Sequence, residues 1–199
     1  MGRIPAPRRR AAHGGADRRP GPTGDVPVRS APALNREPDK RALQQEALAF
    51  LRQRHGLILA TRSAEGSAEA GYAPFIADDQ GNPCIYVSEL AGHTRNLLRQ
   101  PEVSVLLIED EAEARNPFAR RRLTLSCRAE WIEPGSEIHA RLLDRMEQRF
   151  GNTVSLLRGL GDFHLLRLAV DRGSYVRGFG QAYSVAGPGL EITGPKRGR

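Results

Sequence analysis

Lysine, cysteine, methionine and tryptophan are scarce in this chain. Of 199 residues only Lys40 and Lys196 are lysines, and there are two cysteines, two methionines and one tryptophan. Cys84 and Cys127 form no Cys-x-x-Cys motif and have no His at ligand spacing, which excludes a zinc site and a disulfide scaffold. Both fall in expected strands, where a buried free thiol is the natural state. No apolar stretch has the length of a signal peptide or a membrane span, and Arg8-Arg9-Arg10 precedes no apolar stretch, so the chain is expected in the cytoplasm. A Gly-x-Ser-x-Gly elbow, a Walker loop and a Gly-x-Gly-x-x-Gly fingerprint are also absent. The groups for self-sufficient hydrolysis are therefore missing, and any chemistry has to come from a bound cofactor.

The formal charge of +7 is placed unevenly. Residues 1–40 carry nine basic residues against four acids, and residues 185–199 carry three against one. The 18 bases and 18 acids between cancel, so the body is neutral and neither nucleic acid nor a membrane is expected as a partner. The basic residues are almost all arginine, a compositional bias more than a phosphate-binding signal. Residues 1–40, rich in Pro, Gly, Ala and Arg, cannot bury enough apolar surface to offset ordering entropy and are expected to be disordered. Residues 41–184 are expected to form one folded domain and 185–199 a flexible C-terminal tail.

Within the body, Leu43, Ala47, Phe50 and Leu51 recur at helical spacing over 39–54, with Asp39 as cap. Short apolar runs at 57–61, 68–76, 84–87 and 103–108 read as strands. At 122–131, Leu123, Leu125, Cys127, Ala129 and Trp131 alternate with Arg122, Thr124, Ser126, Arg128 and Glu130, which puts the first set on a core face and the second on a polar one. That polar face is a candidate ligand or dimer surface through Arg122, Thr124 and Ser126. An amphipathic helix follows to Phe150, then a short helical piece at 154–160. Strands at 163–170 and 175–179 flank an Asp171-Arg-Gly173 turn. The acidic run from Glu109 to Glu113 lacks any His and reads as solvated loop.

The stretch from Tyr86 to Ile108 organises the rest. It reads as strand, polar turn, short helix, Pro101 and strand. Ser88, His93, Thr94 and Arg95 gather at the start of the helix, where free N–H groups suit a phosphate. The plainer alternative is that Thr94 caps the helix and Arg95 is solvated. Among the five histidines none pairs with another His or Cys at metal spacing. Asp162 and His164 would share a face if both lie in the strand, either as a functional pair or as two unrelated polar residues.

The segment His93-Thr-Arg-Asn-Leu-Leu-Arg-Gln-Pro-Glu-Val-Ser-Val-Leu-Leu-Ile108 resembles the pyridoxamine 5′-phosphate oxidase-like FMN-binding split-barrel superfamily. So do Tyr72-Ala-Pro-Phe75, Ala119-Arg-Arg-Arg-Leu-Thr124 and Arg177-Gly-Phe-Gly-Gln-Ala-Tyr183. The likeness covers about 43–183 and is greatest to the haem-utilisation branch. It implies a mainly β (α+β) fold, a split β-barrel with helices packed outside, working as a homodimer with a cofactor and a small-molecule substrate in the groove between subunits. In flavin-binding members the matching positions Ser88, His93, Thr94, Arg95 and Asn96 hold the FMN phosphate, with Arg95 as main contact, and Arg122 and Thr124 line the same groove. In haem-degrading members the iron ligand is a His in a Gly-rich C-terminal tail, supported by an acid near the position of Asp162. The tail from Gly187 to Arg199 here contains no His. An FMN-dependent oxidoreductase is thus the first expectation. Haem bound through His93, His164 (with Asp162) or no protein ligand is the alternative, and a non-enzymatic dimeric module the third.

Overall fold

The computed structural model describes residues 39–196. The disorder expected for residues 1–40 falls outside the described residues, save Asp39 and Lys40, which open the first helix. In α1 (Lys40–Gln53) the Asp39 carboxylate accepts the Arg41 N–H at 2.9 Å, and Leu43, Ala47, Phe50 and Leu51 are buried. The strands are β1 (Gly56–Arg62), β2 (Ala68–Ala77), β3 (Pro83–Ser88), β4 (Glu102–Ile108), β5 (Arg122–Trp131), β6 (Phe163–Gly178), β7 (Gln181–Ala186) and β8 (Glu191–Pro195). Helix α2 (Gly92–Arg99) joins β3 to β4, and α3 (Glu137–Phe150) with α4 (Thr153–Arg158) joins β5 to β6.

All pairings are antiparallel, in the order β3-β2-β1-β4-β5-β6. β6 returns to pair with β3, which closes a six-stranded barrel and leaves β7 and β8 as an extension of the same sheet. This is the mainly β split barrel with outer helices that the sequence implied. The interior is a single apolar cluster that includes Leu57, Leu59, Val105, Leu107, Leu123, Leu125 and Tyr175, with α1 packed on it. Full burial of one such side chain is worth about 1.5–3 kcal/mol. A second cluster lies under α3 and α4, where Leu142, Leu143, Met146 and Val154 cover Ile76, Cys84 and Leu165.

Three expectations are corrected. Asp171-Arg-Gly173 is not a turn, because β6 runs unbroken through it. The register shifts between Ser126 and Cys127, which face Arg172 and Val170, so Asp171 is the extra residue of a bulge. A Cβ at Gly173 would meet the Thr124 carbonyl oxygen at 2.3 Å, so a glycine there reflects close backbone approach and not a chain reversal. Second, residues 185–196 of the expected tail are not free: Val185 and Ala186 end β7, and β8 pairs with β7 from Ala186↔Glu191 to Tyr183↔Pro195. Leu190 and Ile192 are buried, which supplies the apolar anchor. Third, Trp131 is exposed and not in the core, because β5 continues past the barrel wall. Among the described residues no helix is long and apolar enough to cross a membrane.

Candidate functional site

The pairing of β3 with β6 builds the site. Its register sets Val87 opposite His164 and Ser88 opposite Phe163, and the Glu89 N–H donates to the Asp162 carbonyl at 2.9 Å. Residues far apart in sequence thereby form one polar cluster at the mouth of the β3–α2 turn. The Ser88 hydroxyl donates to the Asp162 carboxylate and accepts the Leu90 N–H at 3.0 Å. The His164 Nε2 meets the Glu89 carboxylate, and its ring packs against Trp131 with centroids 4.2 Å apart. Tyr86 and Phe163 stack at 5.1 Å alongside. Asp162 lies just outside β6, so it and His164 do not form a pair: each has its own partner from the β3 end.

The inner side of α2 is different. Thr94 is 0% exposed and its hydroxyl has no partner, and the His93 Nε2 is likewise buried and unpartnered. Burial lowers the His93 pKa, which favours the neutral ring. His93 packs so closely on β2 that a Cβ at Gly71 would lie 2.6 Å from its Nδ1. The Asn96 amide donates inward to the Glu69 carboxylate at 2.8 Å and the Thr61 hydroxyl at 3.1 Å. Thr94 does not cap the helix either: the N-cap is Ala91, with no side-chain hydrogen bond.

Arg95 points outward and donates Nη1 to the carbonyls of Glu89 (2.7 Å) and Leu90 (2.8 Å). Arg122 donates Nη1 to the Arg120 carbonyl at 3.0 Å, and Thr124 is exposed on the barrel's outer wall. These two occupy the start of β5 and Trp131 its end. Nine residues of strand separate Arg122 from Trp131, roughly 30 Å at strand rise. One chain therefore does not bring Arg122 and Thr124 to the Ser88–His164 cluster.

This geometry reorders the cofactor donors. Of the residues expected around an FMN phosphate, Ser88 is engaged by a carboxylate, Thr94 is sealed, His93 is partly buried against β2, and Asn96 is bonded inside. The acids Glu89 and Asp162 add negative charge where a phosphate would bring more. Arg95 and the uncapped start of α2 are what remain for an anion. A haem fits the donor set better. An imidazole oriented by a carboxylate is the usual state of a metal-ligating His, Trp131 supplies a flat apolar wall, and Arg95 suits a carboxylate side group. No group of three or more His, Cys, Asp or Glu side chains among the described residues could hold a metal ion by protein ligands alone. Cys84 and Cys127 are buried with their thiol pKa pushed up to about 12, so neither is a thiolate. Glu89 and Trp131 are the residues the sequence reading missed. Trp131 carried a signal, since it ends an alternation that outruns the barrel.

Residues 43–177 match the family model described as pyridoxamine 5′-phosphate oxidase. The chain belongs to the pyridoxamine 5′-phosphate oxidase-like superfamily, in its haem-utilisation branch. A Vibrio cholerae protein described as heme oxygenase HutZ is 42% identical over 148 residues, which cover 74% of this chain and 84% of the relative. A crystal structure of HutZ, there called a heme storage protein, superposes with a TM-score of 0.59 at 40% identity, covering 63% of this chain and 88% of that one. Campylobacter jejuni ChuZ gives a TM-score of 0.72 at 29% identity over 82% of this chain and 68% of its own.

Proposed function

We propose that this chain binds haem in the manner of a haem-utilisation protein, with His164 as the iron ligand. The observation that carries this is the His164–Glu89–Trp131 cluster. Glu89 orients the imidazole, and Trp131 gives the macrocycle an apolar surface. Similarity to HutZ, described as both a heme oxygenase and a heme storage protein, supports haem over flavin but leaves two activities open. When bound, the haem would supply iron redox chemistry. The residues of this chain bind it, set the tautomer of His164 and hold Asp162 by the Ser88 hydroxyl. The test is parallel titration of the full-length protein with hemin and FMN. A Soret band is expected in the wild type, and hemin affinity about tenfold or more lower in His164→Ala. Unchanged hemin affinity in that variant removes the ligand assignment.

FMN binding stays as the second reading because the start of α2 is uncapped beside the Arg95 guanidinium. Saturable FMN uptake that Arg95→Ala weakens by about 1.5–3 kcal/mol, the range for a hydrogen bond to a charged group, would favour it over haem. Either cofactor reading goes with a homodimer. Tyr72 and Ile58, 63% and 40% exposed, lie in the same cross-strand row as Leu106, Thr124 and Ser174 on the outer wall. A second copy laid on this wall would bring Arg122 and Thr124 toward the partner's cofactor groove. Sedimentation of the full-length chain should give a dimer, and Ile58→Arg should give a monomer. A wild-type monomer at micromolar concentration would refute the pairing.

A further inference from the structure

Arginines of two helices open on a concavity that none of the Ser88–His164 residues touches. Arg52 at the end of α1 and Arg145, Gln148 and Arg149 of α3 line a hollow of about 370 Å³ bounded by Ile76 and Ala77 of β2. Arg145 and Arg149 are four apart, so they share a helix face, where like charges oppose one another. Part of this charge is held. Arg145 donates to Asp79 at 3.0 Å and to the Ala77 carbonyl at 2.7 Å, and Asp79 also serves Arg141 at 3.7 Å. Arg149 Nη2 donates to the carbonyls of Arg52 (2.9 Å) and Arg54 (2.8 Å), which satisfies the C-terminal end of α1.

The rest is not held. Among the described residues no carboxylate lies within salt-bridge range of Arg52 or Arg149, and the Arg149 Nε is buried with no acceptor. Burial lowers the Arg149 pKa, the effect expected when a cation is desolvated without a counterion. A half-buried guanidinium without an anion is a cost that a bound anion removes. The planar guanidinium fork matches the oxygens of phosphate and carboxylate. We propose that this hollow is a binding site for a small oxyanion, held by Arg52 and Arg149 with Arg145 at its edge.

The test is calorimetric titration of the full-length protein with inorganic phosphate, and with succinate in a second arm, at an ionic strength held constant with sodium chloride. Removal of Arg149 would also uncap α1, so the variants are Arg52→Ala and Arg52→Glu, which keep the backbone carbonyl that Arg149 uses. Saturable binding is expected in the wild type, about tenfold weaker in Arg52→Ala and lost in Arg52→Glu, with hemin titration unchanged in both. Tighter phosphate assigns a phosphoryl ligand, and tighter succinate a carboxylate. Absence of saturable binding in both arms, or equal affinity in Arg52→Glu, overturns the site.

Discussion

Two groups of polar side chains meet at α2, and they differ in what water can reach. On the inner side Thr94 and Asn96 are buried and His93 is partly buried against β1 and β2, where the Asn96 amide bridges Glu69 and Thr61. On the outer side Ser88, Glu89, Asp162 and His164 form a half-open cluster with Trp131. Ser88 and Glu89 precede the inner group by only a few residues, yet the inner group holds the helix on the barrel and the outer one stays half-open. Residue type alone does not separate them. The helical phase does, because successive residues turn by about 100°, and His93, Thr94 and Asn96 fall inward while Arg95 falls outward.

The largest expected effect that separates the two groups is on stability. Asn96→Ala leaves the Thr61 hydroxyl and the Glu69 carboxylate without their amide, and should cost about 2 kcal/mol in denaturant unfolding with cofactor affinity unchanged. Lost cofactor affinity without lost stability would move Asn96 to the outer group. Thr94→Val replaces an unpartnered buried hydroxyl with a methyl of the same shape, and should raise stability by about 1 kcal/mol. A fall in stability, or in FMN uptake, would show that the hydroxyl has a partner after all. The smallest effect is a pH slope. The folded-state pKa of His93 is lowered, so the unfolded chain binds the proton more readily. Its contribution is complete above the unfolded pKa of about 6.5 and is lost as pH falls through that value toward the folded pKa. His139, lowered by burial and by Arg158, acts in the same direction. His93→Gln should flatten the slope below about pH 6.5. An unaltered slope would place His93 in solvent.

Much of the barrel was legible because alternation survives in sequence. Leu123, Leu125 and Cys127 are buried and Arg122, Thr124 and Ser126 are not, as the period of two requires. The α1 stripe was equally plain. β8 was not, since Gly194 and Pro195 interrupt a five-residue strand that depends on pairing with β7. The continuity of β6 was hidden by Asp171 and Gly173, which are turn formers locally but serve a bulge here. At the site, eight-residue α2 holds too few apolar residues to fix its phase, although Thr94 lies three before the buried Leu97 and could have been read as facing inward. The Glu89–His164 contact rests on the non-local β3–β6 register, which no local pattern records.

The outer cluster is proposed as a haem site built on His164. Its most direct test is a hemin titration of the full-length protein followed by its Soret band, wild type against His164→Ala, with the melting temperature of each recorded. A sharp band is expected in the wild type, a shifted and weaker one in the variant, and similar melting temperatures in both. The same band and the same affinity in the variant would contradict it.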